Sequence, residues 1–379
     1  MTLKLLISCI LICTISNTSA QEKPKVIEDF RTSAIHHNDT SKFTRPFKKQ
    51  EYICTPCDLE CDKLVFLESG NCHHCKMPLI SKLEYEKNNR TVQLDSLKID
   101  YKFSSLELAE KEPEITEIIL NGFASFKNLF GGNPRDTLNI EYNDFTVEIK
   151  QSSNLGGEAD PKIIILNWSE NTLFPSSNWK TVLLHELFHL WSAESFRYRS
   201  GKEHWFNEGF TEFYTYQTAA KLGLISQEDI VSTSLIPVGS YLGTKRHDNL
   251  SMREAGKNNK NKFENYFLVY HGGWVTAMVL DYDIRARTNN KKKLDNLMRW
   301  LYENFQRTER LYDMDDIVEG IKITTGIDYT NFFSKYVNGR DVIPVSDYFD
   351  LGKALWDFKF NLKNKSKHSY LYETLGVIN

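Results

Sequence analysis

Apolar and polar positions follow two different rhythms along this chain. From Leu83 to about Asn167, strand-like and helical stretches interleave. Leu97 to Phe103 alternates apolar and polar residues, the period of a strand with one buried face, and Leu138–Ile149 and Ile163–Leu166 also read as strands. Glu114 to Leu129 instead sets Ile115, Ile118, Ile119, Phe123 and Phe126 on one side of a helix. Beyond Pro175 the pattern becomes helical. Ser176, Ser177 or Asn178 can cap a helix running through Thr181 to about Ser192. Further helices are predicted at Phe206–Leu222, Glu264–Arg287, Lys293–Asn304, Met314–Thr324 and Tyr329–Tyr336, and the Asn-, Lys- and Gly-rich stretch Gly256–Lys262 reads as an exposed loop. A strand-rich half followed by a helical half predicts an α+β fold.

Composition narrows the class without naming an activity. The chain has 379 residues, 41% of them hydrophobic, enough to bury a core. Lys and Arg number 47 against 50 Asp and Glu, so no net positive field recruits nucleic acid. The first twenty residues stand apart. Lys4 precedes an apolar run from Leu5 to Ile15, and small residues end at Ala20, the layout of a cleavable secretory signal too short to span a bilayer. No other segment is long and apolar enough to cross a membrane, so the mature chain is expected to be exported, periplasmic or secreted. Cys9 and Cys13 leave with the signal. Cys54, Cys57, Cys61, Cys72 and Cys75 then cluster in one short element instead of spreading through the chain as disulfide staples would.

The chemistry concentrates on the first helix of the second half. His185-Glu186-Leu187-Phe188-His189 is an HExxH sequence, and a spacing of four puts both imidazoles on one helix face where they can grip one metal ion. Glu186 is then the candidate general base for a metal-bound water. Val182, Leu183, Leu184, Leu187, Phe188, Leu190 and Trp191 make this helix apolar nearly all round, which argues for a buried site over a solvated surface. A catalytic zinc takes three protein ligands and keeps one position open. Glu208 follows His189 after 18 residues, and Glu212, one turn further, can hydrogen-bond a ligand histidine. Aromatic neighbours Trp205, Phe206, Phe210, Phe213 and Tyr214 argue that this second helix is buried too.

HELFHLW followed by WFNEGFTEFY resembles the gluzincin metallopeptidases, in which HExxH and a downstream Glu bind zinc. Tyr270-His271-Gly272-Gly273 and the stretch Thr325-Gly326-Ile327-Asp328-Tyr329, with Tyr336-Val337-Asn338-Gly339, are similar to segments of the glycyl-aminopeptidase family in particular. The resemblance runs from about residue 160 to 355 in collinear order. It implies a thermolysin-like catalytic domain with His185, His189 and Glu208 as zinc ligands and Glu186 as base. It also implies Tyr270 as the phenol that stabilises the tetrahedral oxyanion, with Tyr266 as a rival one turn earlier. The sequence departs from that family where its lysine after the tyrosine is replaced by Gly272. The edge strand that holds a substrate's free amine is not recognisable; Gly156-Gly157-Glu158 and Leu166-Asn167-Trp168-Ser169 are weak echoes of it. Aminopeptidase and endopeptidase action therefore both stay open.

Cys54-Thr-Pro-Cys57 and Cys72-His-His-Cys75 form two Cys-x-x-Cys knuckles 14 residues apart, the ligand spacing of a tetrahedral zinc ribbon. Their surroundings resemble a small heavy-metal-binding domain. Cys61, His73, His74 and Met77 add softer donors, which keeps copper open beside a second zinc, and two disulfides with one leftover thiol are the alternative for an oxidising compartment. The expected organisation is a signal peptide at 1–20, a linker at 21–50 and a cysteine-rich metal-binding domain at 51–82. The strand-rich part of the peptidase unit follows at 83–170, then a helical zinc-peptidase catalytic domain at 171–360 and a tail at 361–379. The function expected is an exported zinc-dependent metallopeptidase acting on peptide or protein substrates. The alternative is an inactive metal-handling protein on the same fold.

Overall fold

The computed structural model describes residues 50–54, 59–94, 96–170, 178–245 and 249–377. The signal peptide and nearly all of the linker, Cys57, the cap candidates Ser176 and Ser177, and Arg246-His247 lie outside these residues. The cysteine-rich element is a small antiparallel sheet of β1 (Tyr52–Cys54), β2 (Val65–Phe66) and β3 (Leu79–Ser81) in the order β2-β1-β3. So small a sheet buries little beyond its own cysteines: Cys54, Cys61 and Cys72 form its centre, with Phe66, Cys75, Met77 and Leu79 packed against them.

A five-stranded sheet follows, built from β4 (Asn89–Leu94), β5 (Leu97–Phe103), β6 (Asp144–Gln151), β7 (Gly156–Asp160) and β8 (Ile163–Trp168). Its order is β4-β5-β6-β8-β7, with β5, β6 and β8 parallel and both outer strands antiparallel to their neighbours. The parallel step from β5 to β6 needs a long crossover, which helix α1 (Glu112–Phe130) supplies. Its buried residues include Ile115, Ile118, Ile119, Phe123 and Phe126. The expected strand Leu138–Ile149 begins only at Asp144. Asp136 accepts hydrogen bonds from the backbone N–H groups of Leu138 and Ile140, and Asn139 takes a left-handed conformation (φ 61°), so the first part folds into a tight turn.

Helix α2 (Trp179–Ser192) carries the HExxH sequence. It starts at Asn178, whose side chain accepts from the Lys180 N–H while Thr181 Oγ1 accepts from the Asn178 N–H. Helix α3 (His204–Lys221) packs beside it, and α4 (Asn259–Glu264) occupies part of the stretch expected to be an exposed loop. The Asn258 side chain caps α4 by accepting from Asn261 N–H, which gives a polar, lysine-rich sequence a local reason to be helical. The single helix expected over Glu264–Arg287 is divided. A π-helical stretch at Phe267–His271 leads into helix α5 (Gly272–Thr288). Helices α6 (Asp295–Asn304) and α7 (Met314–Thr325) follow and pack on each other. The residues expected as a tail are packed: Leu371, Tyr372, Leu375 and Val377 are buried, and Gln217 donates to the carbonyl of Thr374. No helix among the described residues is long and apolar enough to cross a membrane.

Candidate active site

The site lies where α2, α3, α4 and the edge strand β7 meet. On α2 the spacing of four brings His185 Nε2 and His189 Nε2 to 3.0 Å from each other. From α3, Glu208 Oε2 comes within 3.5 Å of His185 Nε2 and 3.4 Å of His189 Nε2. Each imidazole is held from behind by its other nitrogen. His185 Nδ1 lies 3.2 Å from Glu212 Oε1, and His189 Nδ1 lies 3.2 Å from Ser192 Oγ, which in turn reaches Thr211 Oγ1 at 3.3 Å. Both histidines thus present Nε2 to the same point, with the ring orientation fixed by a neighbour.

Two nitrogens and one carboxylate oxygen within 4.8 Å of one another fit a borderline-soft divalent cation with one side left open. The electrostatics of the group agree. Burial alone would lower the His185 pKa, but hydrogen bonds to Glu208 and Glu212 outweigh it and hold the imidazole well above its ordinary value. Burial pushes Glu208 up, yet the two histidines outweigh that and hold it well below the carboxylate range. His189 is kept below its ordinary value, chiefly by burial. These groups form a nest that favours a positive charge at its centre.

Glu186 points from the same helix toward β7. It is 7% exposed, and burial, with the charges of Glu208, Glu212 and Glu158 adding, pushes its carboxyl up to about 7 although His185 pulls the other way. Its backdrop is Gly157, where a Cβ would stand 2.4 Å from Glu186 Cγ. The weak echo Gly156-Gly157-Glu158 is therefore a real edge strand lying against Glu186, whereas Leu166-Asn167-Trp168 belongs to its inner neighbour β8. Tyr270 is 8% exposed, and burial followed by the charge of Glu208 raises its phenol well above the ordinary value, so it stays a hydrogen-bond donor. Tyr266 stacks on it with ring centroids 4.3 Å apart and is 39% exposed.

Lys262 had no signal in the sequence, being one lysine in a polar run. From α4 its Nζ donates to Glu208 Oε1 at 2.8 Å and is nearly buried.

In the small sheet the sulfurs of Cys54, Cys61, Cys72 and Cys75 lie within 4.8 Å of one another, and Cys54 Sγ is 3.1 Å from Cys75 Sγ. Cys61 enters this group from a short 3-10 turn, Glu60–Lys63, although the knuckle spacing singles out Cys57 in its place. A tight turn places Cys72 and Cys75 together: Lys76 takes a positive φ of 65° and donates its N–H to the Cys72 carbonyl.

No protein-family model matches the chain, and no curated protein matches it. Solved structures do. An aminopeptidase N family protein from Idiomarina loihiensis superposes with a TM-score of 0.56 at 17% identity, over 69% of this chain and 48% of that one. An M1 zinc metallopeptidase mutant from Deinococcus radiodurans, bound to a Tyr-Ser-Ala substrate, gives 0.44 at 14% identity, over 68% of this chain and 53% of that one. A two-domain M1 zinc metallopeptidase mutant bound to L-arginine gives 0.48 at 14% identity, over 69% and 54%. The first of these establishes a shared fold. The chain spans about half the length of the structures it matches.

Proposed function

We propose that this chain is an exported zinc metallopeptidase of aminopeptidase-like specificity. The observation that carries the reading is the convergence of His185 Nε2, His189 Nε2 and Glu208 Oε2, with the buried carboxyl of Glu186 beside them. A zinc ion held by these three residues supplies Lewis-acid polarisation of a peptide carbonyl and of a water molecule. Glu186 takes the proton from the attacking water and returns it to the leaving amine. Tyr270 donates its phenolic hydrogen to the oxyanion that develops at the former carbonyl. Glu212 and Ser192 hold the two imidazoles in the tautomer that faces inward.

Substrate entry follows from β7. It ends the sheet, so one side of its backbone is open to an extended peptide that adds as a further strand. Glu158 on this strand is exposed, and its charge reaches Glu186. A carboxylate on the strand that lies against Glu186 is suited to the free amine of a substrate, which favours removal of N-terminal residues.

The test is digestion of a mixed peptide library by the chain from Gln21 to Asn379 beside its Glu186→Gln variant. Cleavage by the first and not by the second is expected, with cuts after the N-terminal residue; internal cuts would make it an endopeptidase. If neither cleaves while zinc occupies the His185–His189–Glu208 site, the chain is the inactive metal-handling protein instead.

A further inference from the structure

The HExxH site gathers three acidic side chains. Glu186, Glu208 and Glu212 all lie in it, and side-chain exposure is only 8% at Glu208 and 17% at Glu212. Three acidic side chains so close together in a largely buried space are a costly arrangement unless a cation completes it. Lys262 brings that cation. Its side chain is 12% exposed, and its ammonium donates to Glu208 Oε1 at 2.8 Å and lies 5.8 Å from the ring of Tyr270 and 4.8 Å from that of Phe263.

The two oxygens of Glu208 are thereby divided. Oε2 faces the two imidazoles, and Oε1 is taken by the lysine. A carboxylate left to itself can offer both oxygens to a metal. One whose second oxygen is in a charge-assisted hydrogen bond offers one. Resting on the zinc reading above, we infer that Lys262 is the positioning residue of this centre. It restricts Glu208 to a single donor oxygen and keeps the remaining coordination position open for substrate and water. The role needs α4, the short helix in which a polar lysine-rich stretch turns one of its lysines inward.

The experiment compares the full chain with Lys262→Met and Lys262→Arg by two readouts that do not depend on turnover. The first is zinc affinity by competition with a chromophoric chelator. The second is the visible absorption of the cobalt-loaded site, isolated by subtracting the spectrum of a His185→Ala, His189→Ala double variant so that the cysteine cluster cancels. Removal of the lysine is expected to weaken zinc binding about 10- to 100-fold. The cobalt band should also lose intensity, because Glu208 turns to offer both oxygens and the coordination number rises. The arginine variant, which keeps the charge and the donor, should restore both. The inference is overturned if Lys262→Met binds zinc and absorbs like the wild type, or if Lys262→Arg is as impaired as Lys262→Met, since packing and not the held carboxylate would then set the affinity. If the wild type has no cobalt band that depends on His185 and His189, the zinc reading itself fails, and that outcome is recognised before the lysine variants are compared.

Discussion

Gly157 has no room for a side chain, because Glu186 occupies the space where its Cβ would stand. Alanine there forces Glu186 aside while leaving the exposed edge strand its backbone ladder, so the cost falls on chemistry more than on folding. The Gly157→Ala variant is expected to lose about 10²-fold in kcat/KM, the scale of a misplacement near 1 Å, with little change in its melting midpoint. Kinetics beside a thermal melt would check it, and a variant that keeps full activity would mean the base tolerates displacement. At this scale the sequence is uneven. His185, Glu186 and His189 are legible because helical geometry alone makes them neighbours, and Glu208 and Glu212 because they repeat that turn on a second aromatic-rich helix. Lys262 and Ser192 carry no such signal. Each acts through a contact made by folding, and neither residue type at its position differs from many others in the chain.

At the scale of elements, the site depends on how closely α3 can approach α5. Gly209 and Gly273 make this possible: a Cβ on Gly273 would stand 1.9 Å from the Trp205 carbonyl oxygen, and one on Gly209 would stand 2.3 Å from Gly273 Cα. Both obstacles are backbone, which cannot swing away. Gly273→Ala is expected to destabilise the fold by at least about 1–3 kcal/mol. Because α3 carries Glu208, zinc affinity should fall with stability. Denaturant unfolding of the zinc-loaded and zinc-stripped forms measures both, and an unchanged midpoint would refute the close-approach argument. The apolar periodicity of α1 and α2 was clear in the sequence because each buries residues over several turns. The π-helical stretch Phe267–His271 and the short helix α4 were not, since a single helical rhythm fits the first equally well and the second is polar and only a turn and a half long. The strand β7 was hidden for a related reason: glycines and exposed acids leave it no alternation to detect.

At the scale of the whole molecule, two clusters of side chains that could hold a metal stand apart among the described residues, one on the small sheet and one among the helices. The cysteine cluster lies inside the small sheet, and none of its sulfurs belongs to the histidine group. Cys72→Ser is therefore expected to lower the bound metal by one equivalent and loosen β1–β3 while peptide hydrolysis stays unchanged. Metal analysis beside the peptide assay tests this, and loss of hydrolysis would tie the module to catalysis. The α+β architecture, the grouping of His185, His189 and Glu208 and the presence of a cysteine cluster were legible in the sequence. They rest on period, spacing and residue type, which are properties of neighbours along the chain. Only the tertiary structure decided that Cys61 joins Cys54, Cys72 and Cys75, that Gly157 backs Glu186, and that Lys262 reaches Glu208 from 54 residues away. It also decided that the last residues pack against α3 through Gln217. Those contacts join segments distant in sequence, and their partners are chosen by which surfaces the closed core leaves facing one another.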